Sequence, residues 1–237
     1  MYISSELRSI ARKALKGFWG ISIGVTLLAS ILGGTGSSFS VNTSGTNGQT
    51  QEQVRGIFRD NPFIAYTAIA ILVVLGIIAI VKFLIGGPIE QGLCRYNIDL
   101  LTRENQPSIN ALFSQFKNFG NAFGLHFMMG LFTALWSLLF IIPGIVAAYR
   151  YALAPYLMAE NPNIGVMEAI RQSKELMKGK KWSLFCLHFS FIGWILLSIL
   201  TLGIGLLWVN PYMEAANAAF YLDAIGQRDR MPSPVAD

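Results

Sequence analysis

The chain has 237 residues, 53% hydrophobic and 13% charged, with a mean hydropathy of +0.49 and a formal net charge of +5. A soluble domain carries about 25% charged residues; here no Asp, Glu, Lys or Arg occurs in residues 17–51, 61–81, 118–149 or 182–213. Apolar stretches of this length read as bilayer spans, because about 20 helical residues cross the roughly 30 Å hydrocarbon layer, and the composition excludes a water-soluble enzyme, a disordered chain and a disulfide-stapled one.

The pattern predicts an all-α fold: a polytopic membrane helical bundle of about six transmembrane helices in three hairpins, with cytoplasmic amphipathic helices, in a single domain over 1–237. Residues 1–17 form an amphipathic N-terminal helix with Ile3, Leu7, Ile10 and Ala14 on one face. The first span covers 18–34. Its basic approach resembles a signal peptide, but Glu6, the helical periodicity and the lack of an Ala-x-Ala site favour a retained span. Residues 33–62, rich in Ser, Thr, Asn, Gln and Gly, read as an exported polar loop. The second span, 63–85, ends near Gly86-Gly87-Pro88, with helix continuing to 101. A cytoplasmic connector over 102–121 places Ile109, Leu112, Phe113 and Phe116 on one face.

The third span covers 123–142, Pro143-Gly144 marks a tight turn, and a short fourth span covers 145–159. A second connector, 162–181, places Val166, Met167, Ile170 and Leu176 opposite basic residues. The fifth span covers 183–202, Gly203-Ile204-Gly205 turns the chain, and the sixth covers 204–225. Residues 226–237 read as a flexible tail.

With both termini in the cytoplasm, fifteen Lys and Arg lie inside, Arg55 and Arg59 lie outside, and Arg150 lies within a span. That is a strong positive-inside bias. Five spans would export the cluster from Arg171 to Lys181. Cys94 and Cys186 both fall on the cytoplasmic side, where disulfides are rare.

Each hairpin follows an amphipathic stretch. Two of these end alike, in Leu15-Lys16-Gly17-Phe18-Trp19 and Met177-Lys178-Gly179-Lys180-Lys181-Trp182. A threefold repeat and ordinary amphipathic connectors both account for this. Pro88, Pro155 and Pro211 place prolines in second arms; three kinked helices around a common centre and the ordinary enrichment of proline in membrane helices both account for them.

Arg150 and Glu214 are the informative intramembrane charges, since a charged group at the bilayer centre costs about 2.5–3.5 kcal/mol on insertion scales. At 1.5 Å per residue they lie roughly 9 and 15 Å from the exported side, within reach of each other as an ion pair. Snorkelling of Arg150 and a protonated Glu214 are the alternatives. Asn210, Glu214, Asn217 and Tyr221 share one helix face with alanines between them, which reads as packing glue or as the lining of a polar path. Arg12, Lys13, Lys16, Lys174, Lys178, Lys180 and Lys181 are candidate contacts for anionic lipid. No nucleophile–base set or metal-ligand spacing occurs, so neither catalysis nor a cofactor is expected.

The runs Pro143-Gly144-Ile145, Ala154-Pro155-Tyr156, Ala159-Glu160-Asn161-Pro162, Met177-Lys178-Gly179, Phe189-Ser190-Phe191-Ile192-Gly193-Trp194 and Thr201-Leu202-Gly203-Ile204-Gly205 resemble the family called domain of unknown function 975. The likeness covers most of the chain. Members often show Arg-Gly-Glu where this chain has Arg103-Glu104-Asn105. The resemblance implies a bacterial multi-pass protein of the cytoplasmic membrane and no activity. More loosely, the arrangement is similar to the membrane domain attached to some glycerophosphodiester phosphodiesterases, which implies a lipid context. The expected function is non-enzymatic engagement of lipid or a membrane partner through basic interfacial helices. A small-solute or lipid transporter using Arg150 and Glu214 is the alternative, and a lipid-modifying enzyme is a third reading. The bilayer, anionic lipid, and a membrane partner or second copy are the expected partners; nucleic acid is not.

Overall fold

The computed structural model describes residues 4–32, 62–103, 107–201 and 203–232. Every regular element among them is helical. In chain order these are α1 (Ser4–Leu15), α2 (Trp19–Leu32), α3 (Pro62–Thr102), α4 (Asn110–Phe113), a 3₁₀ turn (Ser114–Asn118), α5 (Phe119–Leu139), α6 (Ile141–Tyr151), α7 (Ala154–Glu160), α8 (Val166–Leu176), α9 (Lys181–Leu200), α10 (Leu206–Ala224) and a 3₁₀ turn (Arg228–Arg230). Ile69–Thr102 and Lys181–Leu200 are long and apolar enough to cross a membrane, and Trp19–Ser30 is a shorter apolar helix. The predicted polar loop over 33–62 lies almost wholly outside the described residues.

The chain divides into two compact units. One is Gly36–Leu84, whose described part opens α3, with residues 69–84 exposed throughout. The other comprises Met1–Thr35 and Ile85–Asp237 and holds the core. The second span was expected to end near Gly86. Helix was expected to continue beyond it to 101, and α3 does run unbroken through Pro88 to Thr102.

Within the larger unit α10 is the central element, contacted by α1, α2 and α9. Ala215, Ala216, Ala218 and Ala219 have no exposed surface, so neighbouring helices approach its backbone closely. The apolar face of α1 (Leu7, Ile10, Ala11, Ala14, Leu15) is at most 1% exposed. This corrects the expectation that α1 lies free at the headgroups: protein, not lipid, covers its apolar side. The face of α8 formed by Ala169, Ile170 and Ser173 is covered in the same way, while Met167, expected on it, is exposed.

The repeated Lys-Gly signature is a shared device. Gly17 (φ 95°) and Gly179 (φ 75°) take the left-handed conformation between an amphipathic helix and an apolar one, which suits glycine. The middle stretch lacks this device. It forms only the short α4 and a 3₁₀ turn, burying Leu112 and Gln115 while Ile109, Phe113 and Phe116 stay exposed.

The α5–α6 turn falls at Phe140, whose backbone is extended, and not at Pro143-Gly144. Proline suits the first turn of α6, where its missing donor has no intrahelical role. Gly144 seats directly on Ser137, and in the α9–α10 hairpin Gly205 seats on Ser198. Both hairpins therefore close on a serine–glycine contact seven residues apart in sequence.

The expected fourth span is two helices. Pro155 has no N–H for the Tyr151 carbonyl, and its ring opposes continuation of the helix, so α6 stops at Tyr151 and Pro155 enters the first turn of α7. Pro88 and Pro211 instead stay inside α3 and α10. The break is spliced from α8. The buried Ser173 hydroxyl donates to the Arg150 carbonyl (2.8 Å) and accepts from the Leu153 N–H (3.2 Å).

Ser173→Ala removes both contacts at a fully buried site. The expected loss is about 1–3 kcal/mol, read as a lowered midpoint of thermal unfolding in detergent. An unchanged midpoint would show that Ser173 does not hold the break.

Candidate functional site

The polar stripe of α10 fans out to separate partners. Asn210, half-buried, lines a cavity of about 160 Å³ with Ile23, Thr26, Ser30 and Leu206. Asn217 Oδ1 lies 2.9 Å from His188 Nε2, and the Tyr149 hydroxyl lies 3.3 Å from His188 Nδ1. The amide oxygen accepts, so Nε2 carries the proton and Nδ1 accepts from the tyrosine. Tyr221 donates to Glu160 Oε2 at 2.6 Å and stacks on Tyr156 with ring centroids 5.3 Å apart. Arg230 closes the far side of Glu160 at 3.1 Å.

Glu214 faces a second cluster. Glu90 lies within its electrostatic range, and both carboxyl groups act on Cys94 and Tyr156, which hydrogen-bond each other. Glu90 Oε2 lies 2.9 Å from His126 Nδ1. Close approach of α3 and α5 allows this: a Cβ on Gly87 would stand 2.6 Å from the Ala122 carbonyl oxygen and 2.9 Å from His126 Cβ. The Cys94 thiol is buried, 5% exposed, within this cluster.

The expected Arg150–Glu214 pair is not formed among the described residues. Arg150 ends α6 just before the break forced by Pro155, and its side chain is exposed. Glu90, His126, Tyr156, Glu160, His188 and Arg230 complete the interior network. Pairs such as Glu90 and His126, 36 residues apart, leave no periodic trace in sequence. Among the described residues no group of three or more His, Cys, Asp and Glu could hold a metal ion.

The cationic candidates divide by partner. Lys180 donates to the Ala224 carbonyl at 2.7 Å, capping α10. Lys174 sits 5.5 Å from the Tyr151 ring centroid, a cation–π distance. Lys13 is half-buried and engaged within the chain. Arg12, Lys16 and Lys178 are exposed, and Lys181 is half-exposed. On α8, Arg171 pairs with Glu168 at 2.7 Å and holds its carboxyl below the usual range. A cleft of about 460 Å³ is lined by Lys178, Lys180, Gln172, Glu175 and the apolar Leu157, Leu176 and Ile225. The first part of the expected flexible tail is pinned by Arg228–Asp223 (2.5 Å) and Arg230–Glu160.

The family model described as Protein of unknown function (DUF975) matches residues 1–149 and 138–228. The chain belongs to that family. No curated protein and no solved structure matches it.

Alkylation needs the thiol to meet the reagent, and Cys94 is 5% exposed. In a Cys186→Ser background, maleimide at pH 8 is expected to leave Cys94 unlabelled in the folded protein and to label it fully after denaturation. Rapid labelling of the folded protein would contradict the buried cluster.

Proposed function

We propose that this DUF975 chain is a non-enzymatic, multi-pass protein of the bacterial cytoplasmic membrane. In this reading it has six spans in three hairpins and both termini inside, and it engages anionic lipid through free cations on α1 and around the α8–α9 turn. The carrying observation is an uncharged apolar surface on the two described hairpins. Leu138, Phe140, Ile142, Leu196, Leu200 and Ile204 are each more than half exposed, and neither 118–149 nor 182–213 contains a charged residue. Exposed patches of this kind need an apolar partner, and a bilayer supplies it.

Among the described residues the side chains of Lys16, Lys178 and Lys181 meet no partner and Arg12 donates only to the Tyr212 hydroxyl, whereas Lys180 and Lys174 are engaged by the Ala224 carbonyl and the Tyr151 ring. Each cation near an anionic surface contributes about 1 kcal/mol. Replacing Lys16, Lys178 and Lys181 with Gln is therefore expected to lower severalfold the phosphatidylglycerol that co-purifies from mixed micelles with phosphatidylcholine. An unchanged lipid ratio would sink the lipid reading. For topology, Lys178→Cys in a cysteine-free chain should resist a membrane-impermeant maleimide in intact spheroplasts and react in inverted vesicles; the opposite pattern would overturn it.

The Glu90–His126–Glu214 cluster favours a second reading, a polar permeation path. It requires Glu214→Gln to change solute or proton flux in proteoliposomes while leaving the fold intact.

A further inference from the structure

A pocket of about 210 Å³ is lined by Arg8, Arg12, Trp19, Trp194, Trp208, Val209 and Tyr212. It joins two guanidinium groups, one helical turn apart on α1, to indole rings from α2, α9 and α10. Trp194 and Trp208 are half exposed and belong to the uncharged apolar surface of the α9–α10 hairpin. No carboxylate lines the pocket, and among the described residues no ion pair engages Arg8 or Arg12. Like charges at this spacing repel modestly, and an anion held between them would offset that repulsion.

The site is organised in advance. The Tyr212 hydroxyl donates to the Arg8 carbonyl at 3.2 Å and accepts a hydrogen bond from Arg12. The Tyr212 ring is held edge-on by Phe191, with centroids 5.1 Å apart. The Arg8 Nε is buried and meets no acceptor among the described residues. A buried donor of this kind calls for one. Two forked guanidinium groups match phosphate geometry, while tryptophans suit the region between headgroup and acyl chain. An occupant must therefore be anionic at one end and apolar at the other. The 460 Å³ cleft is a poorer anion site, since Glu175 lines it and Lys180 is bonded to Ala224.

We propose that this pocket binds the phosphate of an anionic glycerophospholipid, with Arg8 and Arg12 on the phosphate and Trp194 and Trp208 along the start of its chains. This rests on the lipid-engaging part of the reading above and not on its six-span topology, because the pocket sets α1 beside Trp208, three residues after the Gly203-Ile204-Gly205 turn that the topology exports.

The test uses the full chain purified in phosphatidylcholine micelles and titrated with phosphatidylglycerol, reading tryptophan fluorescence and retained lipid by native mass spectrometry. The wild type is expected to retain phosphatidylglycerol over phosphatidylcholine. Arg8→Gln with Arg12→Gln should weaken that preference about tenfold or more. Tyr212→Phe keeps both charges but loosens Arg12, and should weaken it less. Equal thermal midpoints establish that the variants are folded; if the double variant fails to fold, Arg12→Gln alone, at an exposed residue, serves in its place.

Retention unchanged in the variants overturns the proposal. If the Lys16, Lys178 and Lys181 replacements remove retention and the arginine replacements do not, the site is wrong and the lipid reading stands. If wild type shows no preference, both fall. Displacement of the lipid by millimolar inorganic phosphate or glycerol 3-phosphate overturns the lipid assignment in favour of a soluble phosphate ligand.

Discussion

The larger unit is organised around the alanine-rich middle of α10. Four alanines without exposed surface let α1, α2 and α9 pack against one helix. Small residues are the general means of close helix approach where there is little hydrophobic drive between helices. The same helix carries the polar side chains, and close packing forces each toward whichever neighbour lies opposite. Asn217 therefore meets His188, Tyr221 meets Glu160, and Glu214 comes within range of Glu90. The end of α10 is fixed too: Lys180 caps it, and Gly226, with φ 82°, lets the Gln227 N–H return to the Leu222 carbonyl at 2.9 Å.

The helix break before Pro155 is stabilised by α8. Ser173 satisfies one carbonyl, of Arg150, and one N–H, of Leu153, at the break. A break with its polar groups satisfied costs little, whereas an unsatisfied one inside an apolar bundle is expensive. The break then determines the fate of Arg150. Its carbonyl is held by α8, and its side chain leaves the interior.

Helical class and most helix boundaries were legible in the sequence because each has a local cause, periodicity or missing charge; the Lys-Gly runs were visible as a repeated ending, without their left-handed glycines. The buried alanines and apolar face of α1 were legible on the same grounds. The partner of that face was not, because amphipathicity shows that one side is covered without showing by what. The Pro143-Gly144 turn misled because proline fits the first turn of a helix as readily as a loop. The polar stripe of α10 was visible as a face, but its partners come from α3, α7 and α9, and no spacing in a single sequence encodes such pairings. Arg150 and Glu214 were matched on depth alone, and depth says nothing about rotation around the helix axis.

The cations gain a division of labour once the covered faces of α1 and α8 are considered. A basic residue on a helix free at a membrane surface has lipid as its natural counter-charge. On a helix whose apolar side is buried in protein, the same residue competes with nearby carbonyls and rings. Lys180 and Lys174 are drawn inward by the Ala224 carbonyl and the Tyr151 ring. Arg12 instead projects from a buried helix beside Tyr212, and Arg8 keeps a buried donor that meets no acceptor among the described residues. Positive charge count alone therefore misjudges the lipid-facing surface. The cations able to engage an anion are those whose donors the fold has left unspent, and on α1 these lie next to tryptophans already exposed on the apolar surface.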